Sequence, residues 1–216
     1  MTTKFGKTTI IKTTDFVVAK TKIEGEWSSI INKLEKCVFF NCDDYDLQNS
    51  VTGIAIKSES GKIHDLLVTK KPELPENYSL TILYEHPKIK KLIDFFELET
   101  TRIRIFKQQS GISTKLHLDY NNVLATNKNE FLIRIWMALN YDKNFTYIFR
   151  EGEASIKNIK LKTGESVIFN PDTVQHGAIN SSFNKVRYSL NIIGRPNPWL
   201  KNFIEKEKII KINNEY

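Results

Sequence analysis

The feature that most constrains this chain is a change of hydrophobic period near residue 100. Beyond it come the runs "TRIRIFKQ", "FLIRIWMAL", "ASIKNIKL", "ESVIFN", "GAIN" and "VRYSLNII", alternating or briefly apolar, with turns such as "SG", "EG" and "TG" between them. Residues i and i+2 of a strand share a face, so such a series hides its apolar side only by closing into a barrel or layering into a sandwich. Before residue 100 the period is helical. In "EWSSIINKLEK", Trp27, Ile30, Ile31 and Leu34 form one face; in "HPKIKKLIDFFE", Ile89, Leu92, Ile93 and Phe96 do the same behind Pro87. "VTGIAIKSESGKIHDLLV" reads as two strands about an "SESG" turn, "KKPELPEN" as a loop punctuated by Pro72 and Pro75, and "PWLKNFIEKEK" as a closing helix with Leu200, Phe203 and Ile204 on one side. The expected organisation is a single domain over 1–216. A helical and β buttress with N-terminal strands occupies 1–100, a β core 101–194 and a C-terminal helix 195–216.

With 216 residues, 40% hydrophobic and 26% charged, the chain has the composition of one globular domain. No apolar run approaches the roughly 20 residues needed to cross a bilayer, and the N-terminus lacks an apolar core followed by a cleavage site. A cytoplasmic protein with no membrane partner is expected. Cys37 and Cys42 have neither redox nor zinc spacing and read as reduced structural residues. "CDDYD" at 42–46 lacks the glycine and terminal glutamate of a calcium loop. The net charge of +7 is spread over many lysines, which permits an anionic ligand or nucleic acid but fits a solvated surface better.

"KLHLDYNN" sets His117 and Asp119 two residues apart, so in a strand both side chains aim at one point. Of the four histidines, His64 lies near a turn and His86 precedes a helix, whereas His176 follows the "ESVIFN" strand and is the natural third member. Two histidines and a carboxylate on a facial triangle leave three positions open, which suits a non-haem Fe(II) oxygenase; zinc is more often held with four ligands and a single open site. Eleven positions on comes Arg187, with Ser189 on the same strand face, and a guanidinium fork beside a hydroxyl suits a carboxylate held in one orientation.

The order His-x-Asp, distal His, Arg-x-Ser resembles the Fe(II)/2-oxoglutarate-dependent dioxygenases, and within them the aspartyl/asparaginyl β-hydroxylase-like group that includes cis-3-proline hydroxylase. The likeness is carried by "RIRIFKQQSGISTKLHLDY", "FLIRIWMALN" and "LKTGESVIFNPDTVQHGAINSSFNKVRYSLNI", and more weakly by "TGIAIKSESG" and "HPKIKKLIDFF"; it spans about residues 51 to 194. The first fifty residues match no motif of the family. The resemblance implies a mostly β fold with flanking helices around a double-stranded β-helix (jelly-roll, cupin-like) core. It further implies Fe(II) on His117, Asp119 and His176, and 2-oxoglutarate and O2 as co-substrates. Arg187 and Ser189 would take the distal carboxylate of 2-oxoglutarate, with Arg134 reaching the same co-substrate. Trp136 stands where the family often has a histidine, as pocket wall, and Phe106 replaces a serine of the animal enzyme. That enzyme lacks the carboxylate ligand; this chain keeps Asp119, as the proline hydroxylase does.

The implied reaction hydroxylates an aliphatic C–H bond of an amino-acid side chain, free or in a peptide or protein, releasing succinate and CO2. One alternative is a nucleic-acid or nucleobase oxygenase, although the chain lacks a dense arginine pattern after His176. The other is a cupin-like binding module without turnover. "YNNVLATNKNE", which leaves the triad directly, is the candidate substrate-covering loop.

Overall fold

A computed structural model describes residues 17–23, 25, 27–41, 51–66, 74–119, 132–151, 156–195, 197, 198, 200 and 209–211. "CDDYD", Cys42, Pro72, the loop 120–131, Phe203 and Ile204 lie outside the described residues. The strands are β1 (Val17–Lys22), β2 (Phe40–Asn41), β3 (Val51–Ser58), β4 (Ser79–Leu80), β5 (Glu99–Gln108), β6 (Ser113–His117), β7 (Ile133–Ala138), β8 (Phe145–Glu151), β9 (Lys157–Ile159), β10 (Glu165–Phe169), β11 (Val174–Asn180), β12 (Arg187–Arg195) and β13 (Ile209–Lys211). The helices are α1 (Trp27–Glu35) and α2 (Pro87–Asp94).

A nine-stranded sheet runs β13-β1-β10-β7-β12-β5-β3-β2, with β4 also on β3, and faces a four-stranded sheet β6-β11-β8-β9. From β5 to β12 the chain passes between the two sheets, one winding after another, with β8 and β9 as the one consecutive pair in the same sheet. The recurrent crossing, with antiparallel neighbours throughout, is the double-stranded β-helix.

The two faces of the large sheet differ sharply in chemistry. Cross-strand register makes one row of Ile54, Ile105, Leu190 and Met137, and a second of Ile103, Ile192, Ile135 and Ile168. All are buried, and Ile30 and Leu34 of α1 and Ile89, Leu92 and Ile93 of α2 join the same cluster. Each such side chain contributes about 1.5–3 kcal/mol on burial. On the alternate positions, toward the small sheet, the rows read Val51-Gln108-Arg187, Gly53-Phe106-Ser189-Ala138 and Ala55-Arg104-Asn191-Trp136-Val167. The inward rows thus carry polar groups, Gln108, Arg187, Ser189, Arg104 and Asn191, where those outward rows carry none.

Both helices form as their spacing predicts: Ile30 and Leu34 are buried with Trp27 and Ile31 packed beside them, and Pro87 opens α2. Phe96 is fully buried just past the end of α2. Two expectations are corrected. After the Ser58–Gly61 turn the described residues 59–66 form no second strand; Ile63 O accepts from Ala55 N, but the ladder positions of β3 go to β2, β4 and β5. At the C-terminus Pro198 and Leu200 are helical, but 201–208 lie outside the described residues and 209–211 form β13, an edge strand on β1. Edge pairing there satisfies backbone groups that a helix would have paired internally.

The small sheet depends on Gly177. A Cβ there would sit 2.8 Å from Thr114 O, 2.9 Å from Lys115 O and 3.1 Å from Ile148 Cδ1, with backbone on two sides that cannot rotate away. Gly177→Ala is therefore expected to destabilise the protein by about 1–3 kcal/mol, seen as a thermal midpoint lowered by several degrees. An unchanged midpoint would mean that β6 and β11 are not held as closely as this.

Candidate metal centre

His117 and His176 face each other across the edge strand β6 and its neighbour β11 in the small sheet, as a directly opposed pair with ring centroids 4.5 Å apart. The register explains why. Between His176 and Ala178 on β11 stands one residue, but between their partners His117 and Thr114 on β6 stand two, so β6 bulges at Lys115–Leu116. The bulge puts Thr114 and His117 on the same face despite their odd spacing. Thr114 closes it with its hydroxyl, which donates to Ala178 O at 3.2 Å and accepts from Ala178 N at 2.7 Å. Asp119 lies two residues past the end of β6, its backbone N–H held by Pro171 O at 2.9 Å. Asn170, just before, accepts from Asp172 N at 3.0 Å through its side chain and from Val174 N at 3.0 Å through its carbonyl, which fixes the "NPDT" turn that presents that oxygen.

Both imidazoles are oriented in the same way. His117 Nδ1–H donates to Lys115 O at 2.9 Å and His176 Nδ1–H to Val174 O at 3.1 Å, so each Nε2 lone pair is turned toward Asp119. The Nε2 atoms lie 3.4 Å and 3.6 Å from Asp119 Oδ1, and one ligand atom from each residue fits within 4.8 Å of the others. Ligands at adjacent octahedral corners stand about 3 Å apart when bonds are near 2.1 Å, so a small contraction would close the triangle on a metal. Arg134 spans the cluster: its guanidinium is ion-paired to Asp119, and Nη1 lies 2.7 Å from His176 Nε2. The lone pairs thus converge where a cation already meets them.

The electrostatics suit ligation. Burial pulls His176 down to about 3, with the Asp119 charge opposing it, so His176 is a neutral donor at physiological pH. Burial alone would raise Asp119, but the Arg134 guanidinium beside it outweighs that and holds the carboxyl well below its usual range. For His117 burial is likewise outweighed, by the contact with Asp119, and its value is raised. Exposure rises from 0% at the His176 side chain through 13% at Asp119 to 27% at His117. The cluster opens on the His117 side.

Arg187 is 2% exposed at the start of β12, and its Nε and Nη1 have no hydrogen-bond partner among the described residues. Its guanidinium lies over Tyr147 at 4.8 Å and Trp136 at 5.6 Å, using its faces and leaving Nε and Nη1 without a described partner. Asn140 grips the backbone on either side of it, donating to Val186 O at 2.7 Å and accepting from Tyr188 N at 2.8 Å. Around it lie more buried groups with no partner among the described residues: Ser189 Oγ, Tyr147 OH, Trp136 Nε1 and both amide atoms of Asn191. Each such group costs about 1–3 kcal/mol when nothing answers it. Several of them on one barrel interior mark a ligand cradle.

All seven sequence-derived residues therefore line this interior. Arg134 differs in detail, lying against the triad itself. Tyr147 and Asn191 were not anticipated. "FTYIF" does put Tyr147 between inward phenylalanines, but only the fold reveals that its hydroxyl lacks a partner. His64 stacks on Phe40 at 5.7 Å and His86 caps α2, and neither belongs to the cluster. Cys37 is a free thiol. A separate cavity of about 350 Å³, lined by Lys57, Tyr84, Asp94 and Ile103 among others, opens on the aliphatic face. There Lys57 donates to Thr100 O at 2.6 Å and Asp94 pairs with Lys90 at 2.9 Å, so these charges are already answered by protein.

No family model matches the chain, and no curated protein matches it. Solved structures do. An oxidoreductase of the 2OG-Fe(II) oxygenase family from Burkholderia pseudomallei is 12% identical, with a TM-score of 0.53 over 82% of this chain and 84% of that one. HygX from Streptomyces hygroscopicus, with nickel and 2-oxoglutarate bound, is 11% identical, with a TM-score of 0.53 over 91% and 88%. A prolyl hydroxylase from Trichoplax adhaerens, in complex with a hypoxia inducible factor oxygen degradation domain peptide fragment, is 12% identical, with a TM-score of 0.51 over 86% of each chain. At such identities the likeness is one of fold: this chain is a mostly β, double-stranded β-helix protein with flanking helices.

Proposed function

We propose that the chain is an Fe(II)- and 2-oxoglutarate-dependent oxygenase that hydroxylates an aliphatic C–H bond of an amino-acid side chain, free or within a peptide. The observation that carries the reading is Arg187, a buried guanidinium whose Nε and Nη1 lack a described partner, in the same barrel interior as a two-histidine, one-carboxylate cluster. A binding module that needed only a metal would have no use for that cation. A dianionic keto acid that must reach the metal at one end and a cation at the other has use for both. The finer placement, in the aspartyl/asparaginyl β-hydroxylase-like group, rests on the sequence motifs, and the peptide bound to the Trichoplax enzyme is in keeping with a peptide substrate.

His117 Nε2, His176 Nε2 and an Asp119 oxygen would hold Fe(II). When bound, the iron and 2-oxoglutarate supply the oxidative chemistry, in which one oxygen atom of O2 enters succinate, the other enters the substrate C–H bond, and CO2 leaves. Arg187 fixes the far carboxylate by charge-assisted hydrogen bonds, with Ser189 and Tyr147 adding hydroxyl donors. Arg134, ion-paired to Asp119, would stand beside that site as a cation for the co-substrate. Trp136 and Phe169, at 5.9 Å and 4.9 Å from the His176 ring, wall off that ligand and keep bulk water from it.

Anaerobic addition of Fe(II) and 2-oxoglutarate should give a weak visible charge-transfer band that disappears in the His117→Ala, Asp119→Ala double variant; a parent protein with no band would remove the iron assignment. Arg187→Leu should keep Fe(II) binding but weaken 2-oxoglutarate by roughly a hundredfold or more. Because it removes an unanswered buried charge, the same variant should leave the thermal midpoint of the unliganded protein unchanged or raised. A lowered midpoint would mean that Arg187 is structural. Succinate release should be stimulated by amino acids or peptides in a panel that includes oligonucleotides, and stimulation by oligonucleotides alone would overturn the substrate class.

A further inference from the structure

Arg134 touches the atoms that a metal would use. His176 Nδ1–H donates to Val174 O, which leaves Nε2 as the acceptor, and Arg134 Nη1–H donates to that atom at 2.7 Å. The other terminal nitrogen, Nη2, is ion-paired with Asp119 Oδ2. One guanidinium fork thus bridges two of the three candidate ligands. A neutral imidazole has a single lone pair on Nε2, so this hydrogen bond and a metal bond exclude each other. Asp119 is under less constraint, since its second oxygen, Oδ1, faces the two histidines at 3.4 Å and 3.6 Å. The conflict lies at His176.

One of the two side chains must give way, and their settings differ. His176 is 0% exposed, tied through Nδ1 to β11 and packed by Phe169 at 4.9 Å and Trp136 at 5.9 Å. Arg134 has its backbone fixed between β10 and β12, but its guanidinium ends a long side chain that is 12% exposed. We propose that Arg134 is a latch on the metal centre: it holds His176 and Asp119 together, must release His176 before a metal can be ligated there, and then serves the co-substrate. The proposal rests on the metal centre and co-substrate of the oxygenase reading. Ligation at His176 forfeits the Arg134 contact, so the metal affinity of the parent chain is reduced by the share of molecules in which the latch is closed. The released guanidinium gains an anion when the carboxylate of 2-oxoglutarate arrives. By linkage, metal and co-substrate then each tighten the other.

Calorimetric titration of the full chain with Ni(II), a redox-stable stand-in for Fe(II), tests the latch. Arg134→Met should bind Ni(II) roughly tenfold more tightly than the parent, whereas loss of an arginine that only steadies the ligands would weaken the metal by about 10–100-fold. Arg134→Lys keeps the charge without the planar fork and should fall between the two. In the presence of a chelator Arg134→Met should unfold several degrees below the parent, because Asp119 has lost its partner, and Ni(II) should remove the difference. 2-Oxoglutarate should tighten Ni(II) by a smaller factor in Arg134→Met than in the parent, and an equal factor overturns the handover to the co-substrate. Ni(II) affinity in Arg134→Met equal to or below that of the parent overturns the latch. So does an Arg134→Lys affinity equal to the parent's, which would mean that the metal feels only the charge; this comparison stands alone if Arg134→Met does not fold. A parent chain that binds no Ni(II) overturns the metal centre itself, and the latch with it.

Discussion

The site depends on one cross-strand contact, the pairing of His117 with His176 between β6 and β11. Two of the three candidate ligands are thereby fixed by backbone ladders instead of loops, and the third is tied by a single backbone hydrogen bond to the turn that precedes β11. Strand geometry alone would not place the pair. The bulge at Lys115–Leu116 adds the residue that brings His117 opposite His176, Thr114 replaces the ladder bonds the bulge breaks, and Gly177 permits the close approach. Three adjacent features of ordinary chemistry converge on one geometric requirement, that two Nε2 atoms look at the same point.

The large sheet carries the opposite burden. Its outward rows of isoleucine, leucine and methionine, covered by α1 and α2, supply the burial that lets its inward rows remain polar. An interior in which Arg187 Nε and Nη1, Ser189 Oγ, the Asn191 amide and Tyr147 OH lack partners among the described residues is unfavourable as structure. It persists because the strands that carry these groups are held from behind. Stability and binding are thus separated face by face, and the alternation of each strand assigns every residue to one or the other.

Much of this was legible in the sequence, and what was not has a physical reason. The period change near residue 100 coincides with the start of β5, since alternation records which face is buried, but the helical period before it hid that β1 to β4 join the same large sheet. His117, Asp119 and His176 could be grouped because few residue types bind metal and only four histidines compete. The i, i+2 rule gave the right convergence for Asp119, although the residue lies past the strand end and is placed by Pro171. Arg187 stood out as a charge within an apolar run. Tyr147 and Asn191 did not, because an aromatic between phenylalanines and an asparagine between leucine and isoleucine look like packing until the fold shows that nothing bonds them. The failed hairpin after β3 is a matter of competition: a good turn at Gly61 cannot force a strand when β2, β4 and β5 supply the ladder partners.

Burial differs between the two ends of the interior. Asn180, fully buried, ties the carbonyls of Gln108, Gln109 and Lys185 at the Arg187 end of the barrel, closing it with three hydrogen bonds of 2.8–3.0 Å. Among the described residues the triad is most exposed at His117. A molecule bound on Arg187 would therefore lie deeper than one standing over His117. The same asymmetry keeps the deep cation away from water, where its attraction for a carboxylate is least screened.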